Sequence, residues 1–371
     1  MASSTPQDFL TSLPRHLPTP PFIHVQGIAN FRDCGGYECA PPPGADLTIG
    51  ARYIVRRGVL FRCAHPTNLT PAGARKLREE LGITDFFDLR SLPEIEKLAA
   101  AAAASAKEDD DDKANESTTS TTTATTKSSK DEAEPALDTS QGFIVIPGIS
   151  RTFTPVYAQE DYSPVALARK MQWYTAANGQ GKDYSEGFVS AYRDIATLLA
   201  TLDGIEEWKR YADGDEDSNN NKNENASTSN DRTANSYANS KRDGGVVFHC
   251  TAGKDRTGVL AAVILRLCGV PDHIIQWEYA ITEPGLGDWR TIFIDRISRR
   301  GLGGGGAAET VLDGEFGGVD RYLTEMVGLS AREVEGLRKG LAVEVAQDSD
   351  IVQPVGIPGW TVEQGILEDE Q

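Results

Sequence analysis

One stretch of the chain concentrates the residue types that do chemistry: His249-Cys250-Thr251-Ala252-Gly253-Lys254-Asp255-Arg256-Thr257-Gly258. Cys250 and Arg256 stand six positions apart. Thr251, Ala252, Gly253, Lys254 and Asp255 between them can wrap one tetrahedral oxyanion, with their backbone N–H groups turned inward. Gly253 and Gly258 carry no side chain to obstruct a close backbone approach. Arg256 offers a planar fork that matches two phosphate oxygens. A cysteine at the floor of such a loop sits in positive potential, which favours the thiolate. A thiolate facing a bound phosphoryl group is a nucleophile for in-line displacement. His249 can fix the loop backbone or bias the sulfur. Thr257 can donate a hydrogen bond to the sulfur and ease breakdown of a thiophosphate.

The spacing alone is weak, since a buried structural cysteine before an apolar helix would show it too. None of the other cysteines (Cys34, Cys39, Cys63 and Cys268) has an arginine six positions on. A nucleotide-binding phosphate loop on Gly253-Lys254 fails. Phe248 stands where its first glycine belongs, and Asp255 where its Ser or Thr belongs.

The elements on either side suit an anion loop. Val246-Val247-Phe248 is a continuous apolar run, as in a strand covered on both faces. Arg256 to Cys268 is apolar nearly all round, so that helix should be central, and Gly269 with Pro271 ends it. Strands are also expected at Phe22 to Ile28, Val59 to Phe61, Ile83 to Leu89 and Phe143 to Ile149. Helices are expected at Pro71 to Leu81, Ser185 to Leu202, Asp272 to Ile281, Trp289 to Arg299 and Ala331 to Leu341. Thr70 before Pro71 reads as a helix start. The alternation is an α/β layout with helix-rich C-terminal packing.

The chain has 371 residues and a formal net charge of −18. Residues 99–141 carry ten acids against four bases, 212–245 seven against four, and 343–371 seven against none. The rest is close to neutral, so the acidity belongs to segments outside the folded body. Residues 99–141 and 212–245, rich in Ala, Asp, Ser, Thr and Asn, read as disordered insertions in surface loops of one domain. The expected organisation is a Pro-rich leader at 1–21, one domain over 22–342, and an acidic tail at 343–371. This balance excludes a globally basic nucleic-acid binder but not an anionic substrate at a locally positive site. No apolar run approaches the length of a membrane helix, and the N-terminus lacks a signal-peptide pattern. Five cysteines suit a reduced cytoplasmic or nuclear setting better than a disulfide framework.

The stretch from His249 to Gly258 resembles the signature of cysteine-dependent protein tyrosine phosphatases. More narrowly, it resembles the IphP-type tyrosine/serine phosphatases of bacteria and fungi. Asn30-Phe31-Arg32-Asp33-Cys34-Gly35-Gly36 is similar to that family's N-terminal Asn-Phe-Arg-Asp-Leu-Gly-Gly. Phe87-Asp88-Leu89-Arg90-Ser91 is similar to its Asp-Leu-Arg segment, and Val59-Leu60-Phe61-Arg62-Cys63 to its Leu-Tyr-Arg-Ser strand. Cys34 and Cys63 depart from the usual Leu and Ser. The resemblance implies a protein tyrosine phosphatase-like fold, with a central, mostly parallel sheet flanked by helices. It also implies catalysis without metal or other cofactor. Cys250 would be the nucleophile and Arg256 the phosphate and transition-state ligand. His249, Thr251, Ala252, Gly253 and Lys254 would line the phosphate. Relatives with the Lys-Asp pair have dual or triple specificity, and some act on phosphoinositides; Lys254 would suit a polyanionic head group.

The general acid is open. The sequence has no Trp-Pro-Asp loop. Asp255 is the first choice, from the relatives and from its closeness to Cys250, though it can equally pin the loop by pairing with a neighbour. Asp88, ending a strand, is the alternative, but it can pair with Arg90 or Arg32. Asp161 is third. Cys34 and Cys39 are either small buried thiols or redox partners of Cys250. Arg32 and Asp33 suit a turn better than a substrate. Trp173, Tyr174, Tyr184 and Phe188 form either core or a substrate wall. The expected substrate is a phosphorylated protein, or a phosphoinositide. The competing classes are a phospho-binding pseudophosphatase and a sulfur-transfer or arsenate-reducing enzyme.

Overall fold

The five residues Gly245–His249 (β7) are all buried, as the unbroken apolar run predicts. In the computed structural model, which describes residues 17–45, 50–100, 137–138, 140–156, 244–287, 312–314 and 316–357, this strand is the centre of the main sheet. It pairs in parallel with Leu60–Cys63 (β4) on one side and Ile83–Asp88 (β5) on the other. Beyond β5 lies Ser150–Phe153 (β6), also parallel. Arg32–Asp33 (β1) runs antiparallel along the far side of β4. The order β1-β4-β7-β5-β6 is the mostly parallel sheet that the resemblance implies. A smaller antiparallel sheet joins Glu38–Cys39 (β2), Arg52–Val55 (β3) and Ala342–Val345 (β8).

Alternate residues of β7 feed two cores. Val246 and Phe248 pack with the helices Asp255–Leu267, Asp272–Ala280 and Ala331–Leu341, through residues such as Leu265, Ile274 and Leu337. Val247 faces the other layer, with Phe31, Phe61, Leu77 and Ile83. Helices therefore cover both faces of the sheet, and the C-terminal end of β7 opens into the loop that begins at Cys250.

Five local expectations change. Phe22 to Ile28 forms isolated bridges, Phe22 with Arg32 and Val25 with Ile28, rather than a strand. Gly27 turns there at a φ of +90°. The strand expected at Phe143 to Ile149 lies just beyond it, at Ser150–Phe153. Ile144, Ile146 and Ile149 are apolar because they pack under the sheet, not because they pair in it. The helix from Pro71, with Thr70 accepting from the Gly73 N–H, stays α only to Arg75 and continues as a π segment, Lys76–Glu80. The tail expected from residue 343 begins instead as β8, paired with β3. Val352 and Ile357 are buried farther on, because alternating apolar residues lie hidden among the acids. The leader also packs at its end, where Leu17 is buried.

A helix over 92–100 enters the expected insertion by two residues. The remainder of that insertion at 101–136, most of the second, and the helices expected at Ser185 to Leu202 and Trp289 to Arg299 lie outside the described residues, as do Asp161, Trp173, Tyr174, Tyr184 and Phe188.

Candidate active site

Cys250 follows β7 directly, and Asp255 opens the helix Asp255–Leu267. The connecting loop is shaped from behind. Gly253 has a φ of +68°, and a Cβ there would collide with the Cys63 carbonyl at the end of β4, so glycine is required on two counts. Asn30, itself left-handed at a φ of +59°, donates through Nδ2 to the carbonyls of Ala252 (3.3 Å) and Gly253 (3.5 Å). Arg62 donates through Nη2 to Gly253 O (2.7 Å) and Lys254 O (3.3 Å). In a planar trans peptide the N–H points opposite to the C=O. Tying back the carbonyls of residues 252–254 therefore aims the N–H groups of residues 253–255 to the other side, as an anion cradle needs.

The two anchoring segments are themselves fixed. Arg32 donates to the Asn30 side chain and backbone, and to Glu278 Oε1 (2.7 Å) and Thr282 Oγ1 (2.8 Å). Arg62 Nη1 reaches Glu278 Oε2 at 2.6 Å. Burial works against the Glu278 anion, but Arg32 and Arg62 outweigh it and hold the carboxyl below its ordinary value. Asp33 does hold a turn, accepting from Gly35 N (2.7 Å) and Gly58 N (2.9 Å). Burial still pushes its carboxyl up to about 6.

At the mouth, Arg256 Nη1 donates to Leu89 O (3.2 Å) and Glu94 Oε2 (2.6 Å), and Nη2 to Glu94 Oε1 (2.7 Å). Thr251 Oγ1 also donates to Glu94 Oε1 (2.6 Å). Burial pushes the Glu94 carboxyl up, but Arg256 and Thr251 more than offset this and hold it at about 2. Glu94 is one of the residues at the site that sequence reasoning misses. Its signal is the Ser91-x-x-Glu94 spacing of a helix start, and both the N–H and the hydroxyl of Ser91 donate to it at 2.9 Å.

Several expected roles move. Lys254 is buried, with Nζ on Glu283 Oε1 at 2.7 Å. Its charge is matched inside the protein rather than offered to a head group. His249 does not face the loop interior. Its Nδ1 lies 3.1 Å from Cys250 O and its Nε2 3.9 Å from Asp88. Burial lowers it to about 4, so at pH 7 it is a neutral brace of the backbone. Asp88 accepts from Arg90 Nε (2.8 Å) and Nη2 (2.7 Å) and from Arg151 Nη2 (2.7 Å). Burial opposes the anion, but His249, Arg90 and Arg151 hold its carboxyl well below the usual range, which suits an ion-pair anchor and not a proton donor. Asp255 lies at the loop's end and accepts from Tyr279 Oη at 3.1 Å. Thr257 is fully buried, and its hydroxyl has no hydrogen-bond partner among the described residues; the expected bond to the Cys250 sulfur is not made. Cys39 lies beside Cys268, whose carbonyl accepts from Ala40 N at 3.1 Å. The cysteine on the strand next to the loop is Cys63, in register with His249, but it packs into the opposite core from Cys250.

Among the described residues, no cluster of three His, Cys, Asp or Glu side chains could hold a metal ion, and no helix is long and apolar enough to cross a membrane. What the structure brings to this end of β7 is Cys250, a loop whose carbonyls at 252–254 are tied back, Arg256 held on Glu94, and Asp255 held on Tyr279.

A family model described as the tyrosine phosphatase family matches residues 23–343. A tyrosine-protein phosphatase of Nostoc commune is 36% identical over 118 residues, which is 27% of this chain. The chain spans 40% of the length of that curated relative.

Proposed function

The chain belongs to the tyrosine phosphatase family, and on that premise we propose that it hydrolyses phosphate monoesters through a cysteinyl-phosphate on Cys250. The observation that carries this reading is the tied-back loop: the carbonyls of residues 252–254 are bound from outside by Asn30 and Arg62, over the floor that Cys250 forms. Cys250 Sγ attacks phosphorus in line, the P–O bond to the leaving group breaks, and Asp255 gives its proton to the departing oxygen. Water then attacks phosphorus, the S–P bond breaks, and Asp255 takes the water's proton back. Arg256 and the loop N–H groups bind the equatorial oxygens, whose charge rearranges at each transition state.

The narrower IphP-type reading is supported by all three of its further segments, with Arg62 binding the carbonyls of Gly253 and Lys254. Asn30 and Arg32 brace the loop, and Leu89 accepts from Arg256. For substrate, we rank tyrosine-phosphorylated protein first and phosphoserine or phosphothreonine second. The burial of Lys254 against Glu283 counts against a phosphoinositide, because the extra cation that a polyanionic head group would use is already paired. All five cysteines are free, which suits a reducing compartment such as the cytoplasm. We assign the activity to one domain around the main sheet, with the stretches at 99–141 and 212–245 as its insertions.

The test is turnover of a phosphotyrosyl peptide and of a phosphoinositide panel by wild type and Cys250→Ser. Wild-type activity that survives chelator and falls about a thousandfold or more in the variant, with the peptide preferred, is expected. A wild type that binds vanadate yet turns over nothing would make it a phospho-binding module instead.

A further inference from the structure

Gly258 stands in the first turn of the signature helix, and a Cβ there would run into the ring of Tyr279. The glycine thus admits an aromatic ring from the neighbouring helix Asp272–Ala280 onto the loop. Tyr279 is buried, and its ring lies 6.0 Å from Lys254 Nζ. Its hydroxyl donates to Asp255 Oδ1 at 3.1 Å. Among the described residues, this is the one hydrogen bond that the Asp255 carboxyl accepts from a side chain.

We propose that Tyr279 is a positioning residue for proton transfer by Asp255, holding Oδ1 so that the transferable proton sits on Oδ2, the oxygen turned to the leaving group. This rests on the reading of Asp255 as general acid. A rigid donor on Oδ1 fixes the carboxyl plane, which a side chain at the start of a helix would otherwise be free to rotate. When the Oδ2–H bond breaks and its electron pair stays on Asp255, the same hydroxyl stabilises the carboxylate left behind. The proton goes to the leaving-group oxygen as the P–O bond breaks. In the second step Oδ2 takes a proton from the attacking water, and Tyr279 keeps its own proton throughout. Glu283, on Lys254 at 2.7 Å, keeps that neighbouring cation off the Asp255 carboxyl and so leaves Tyr279 as its partner.

Tyr279→Phe keeps the ring on Gly258 and removes only the hydroxyl. Turnover of 4-nitrophenyl phosphate, whose leaving group needs little protonation, is compared with that of phenyl phosphate, whose leaving group needs it. The set is wild type, Tyr279→Phe, Asp255→Asn and the double variant, with Tm measured for each. A fall of about tenfold in kcat/KM for phenyl phosphate, which reports the steps up to P–O cleavage, is expected in Tyr279→Phe, from loss of one hydrogen bond to a charged group. For 4-nitrophenyl phosphate, kcat/KM should stay within about twofold. The double variant should match Asp255→Asn, because the hydroxyl acts through that carboxyl. Equal losses on both substrates, or additive losses in the double variant, would overturn the positioning role and leave a structural one. If Asp255→Asn leaves the ratio between the two substrates unchanged, the acid assignment itself fails, and the role of Tyr279 falls with it.

Discussion

Two carboxylates hold arginines around the anion loop, under opposite conditions. Behind it, Glu278 joins Arg32 and Arg62, all three at most 1% exposed. At the mouth, Glu94 grips Arg256 at 20% and 12% exposure. The rear cluster has no access to water, so none of its bonds can be exchanged for another. Removing one member would strand a buried charge. The front pair meets solvent, and a phosphoryl group can share or replace its bonds with others of similar strength. One arginine set therefore keeps the loop's shape while the other, on the proposed mechanism, works on its contents, although both use the same chemical pair.

Glu278→Ala should break that contrast most severely. It leaves Arg32 and Arg62 buried without their shared anion, and a loss of about 3–5 kcal/mol in unfolding free energy is expected by denaturant titration. A variant of wild-type stability would mean that the rear cluster is no fixed frame.

Acid should reach the loop by way of the buried histidine that braces it at Cys250. His249 is held at about 4 in the fold, by burial, against an ordinary 6.5. A base with a lowered pKa contributes stability in full above pH 6.5 and loses it as pH falls towards 4. The unfolding free energy of wild type should thus drop over that window relative to His249→Asn, by on the order of 2 kcal/mol. Parallel curves would count against a neutral, buried imidazole. Glu94, held at about 2, has the carboxylate sign. Its stabilisation is present above the ordinary carboxylate value and fades only as pH falls below it, so the front pair outlasts the histidine brace in acid.

Glu94→Ala sharpens the comparison from the other side. Arg256 keeps Leu89 O but loses the fork, and the dissociation constant for vanadate should rise about tenfold. Tm should fall far less than in Glu278→Ala. Weakened folding with unchanged vanadate affinity would place Glu94 with the frame. Smallest of all, Ser330→Ala removes a capping box from the helix Ala331–Leu341, remote in sequence from the loop. It should cost about 1 kcal/mol of stability with kcat unchanged.

What is legible in the sequence follows from how local each interaction is. The loop from Cys250 to Arg256 is readable because its geometry is set by contiguous residues, a strand before, a helix after and a glycine at the tight point. Its supports are not. Asn30, Arg62, Glu94 and Glu278 come from four separate segments, and an arginine or glutamate in a sequence reads first as solvated surface. Lys254 shows the converse error: its place in the motif suggested a cation for substrate, and only Glu283, 29 residues on, reveals otherwise. The shifted β6 and the folded residues after 342 share one cause. Apolar alternation reports burial, whereas pairing is decided by register with distant strands.

Glu94 is also the residue to which Ser91 ties the first turn of the helix over 92–100. One carboxylate thus belongs at once to a helix end and to the guanidinium proposed to meet the phosphoryl group. By thermodynamic reciprocity, whatever an oxyanion does to Arg256 changes the fraying equilibrium of that turn, and whatever steadies or loosens the turn changes the oxyanion's affinity by the same factor. Amide hydrogen exchange in this helix should therefore respond to occupancy of the loop, making a remote segment of backbone an indicator of events at a single sulfur.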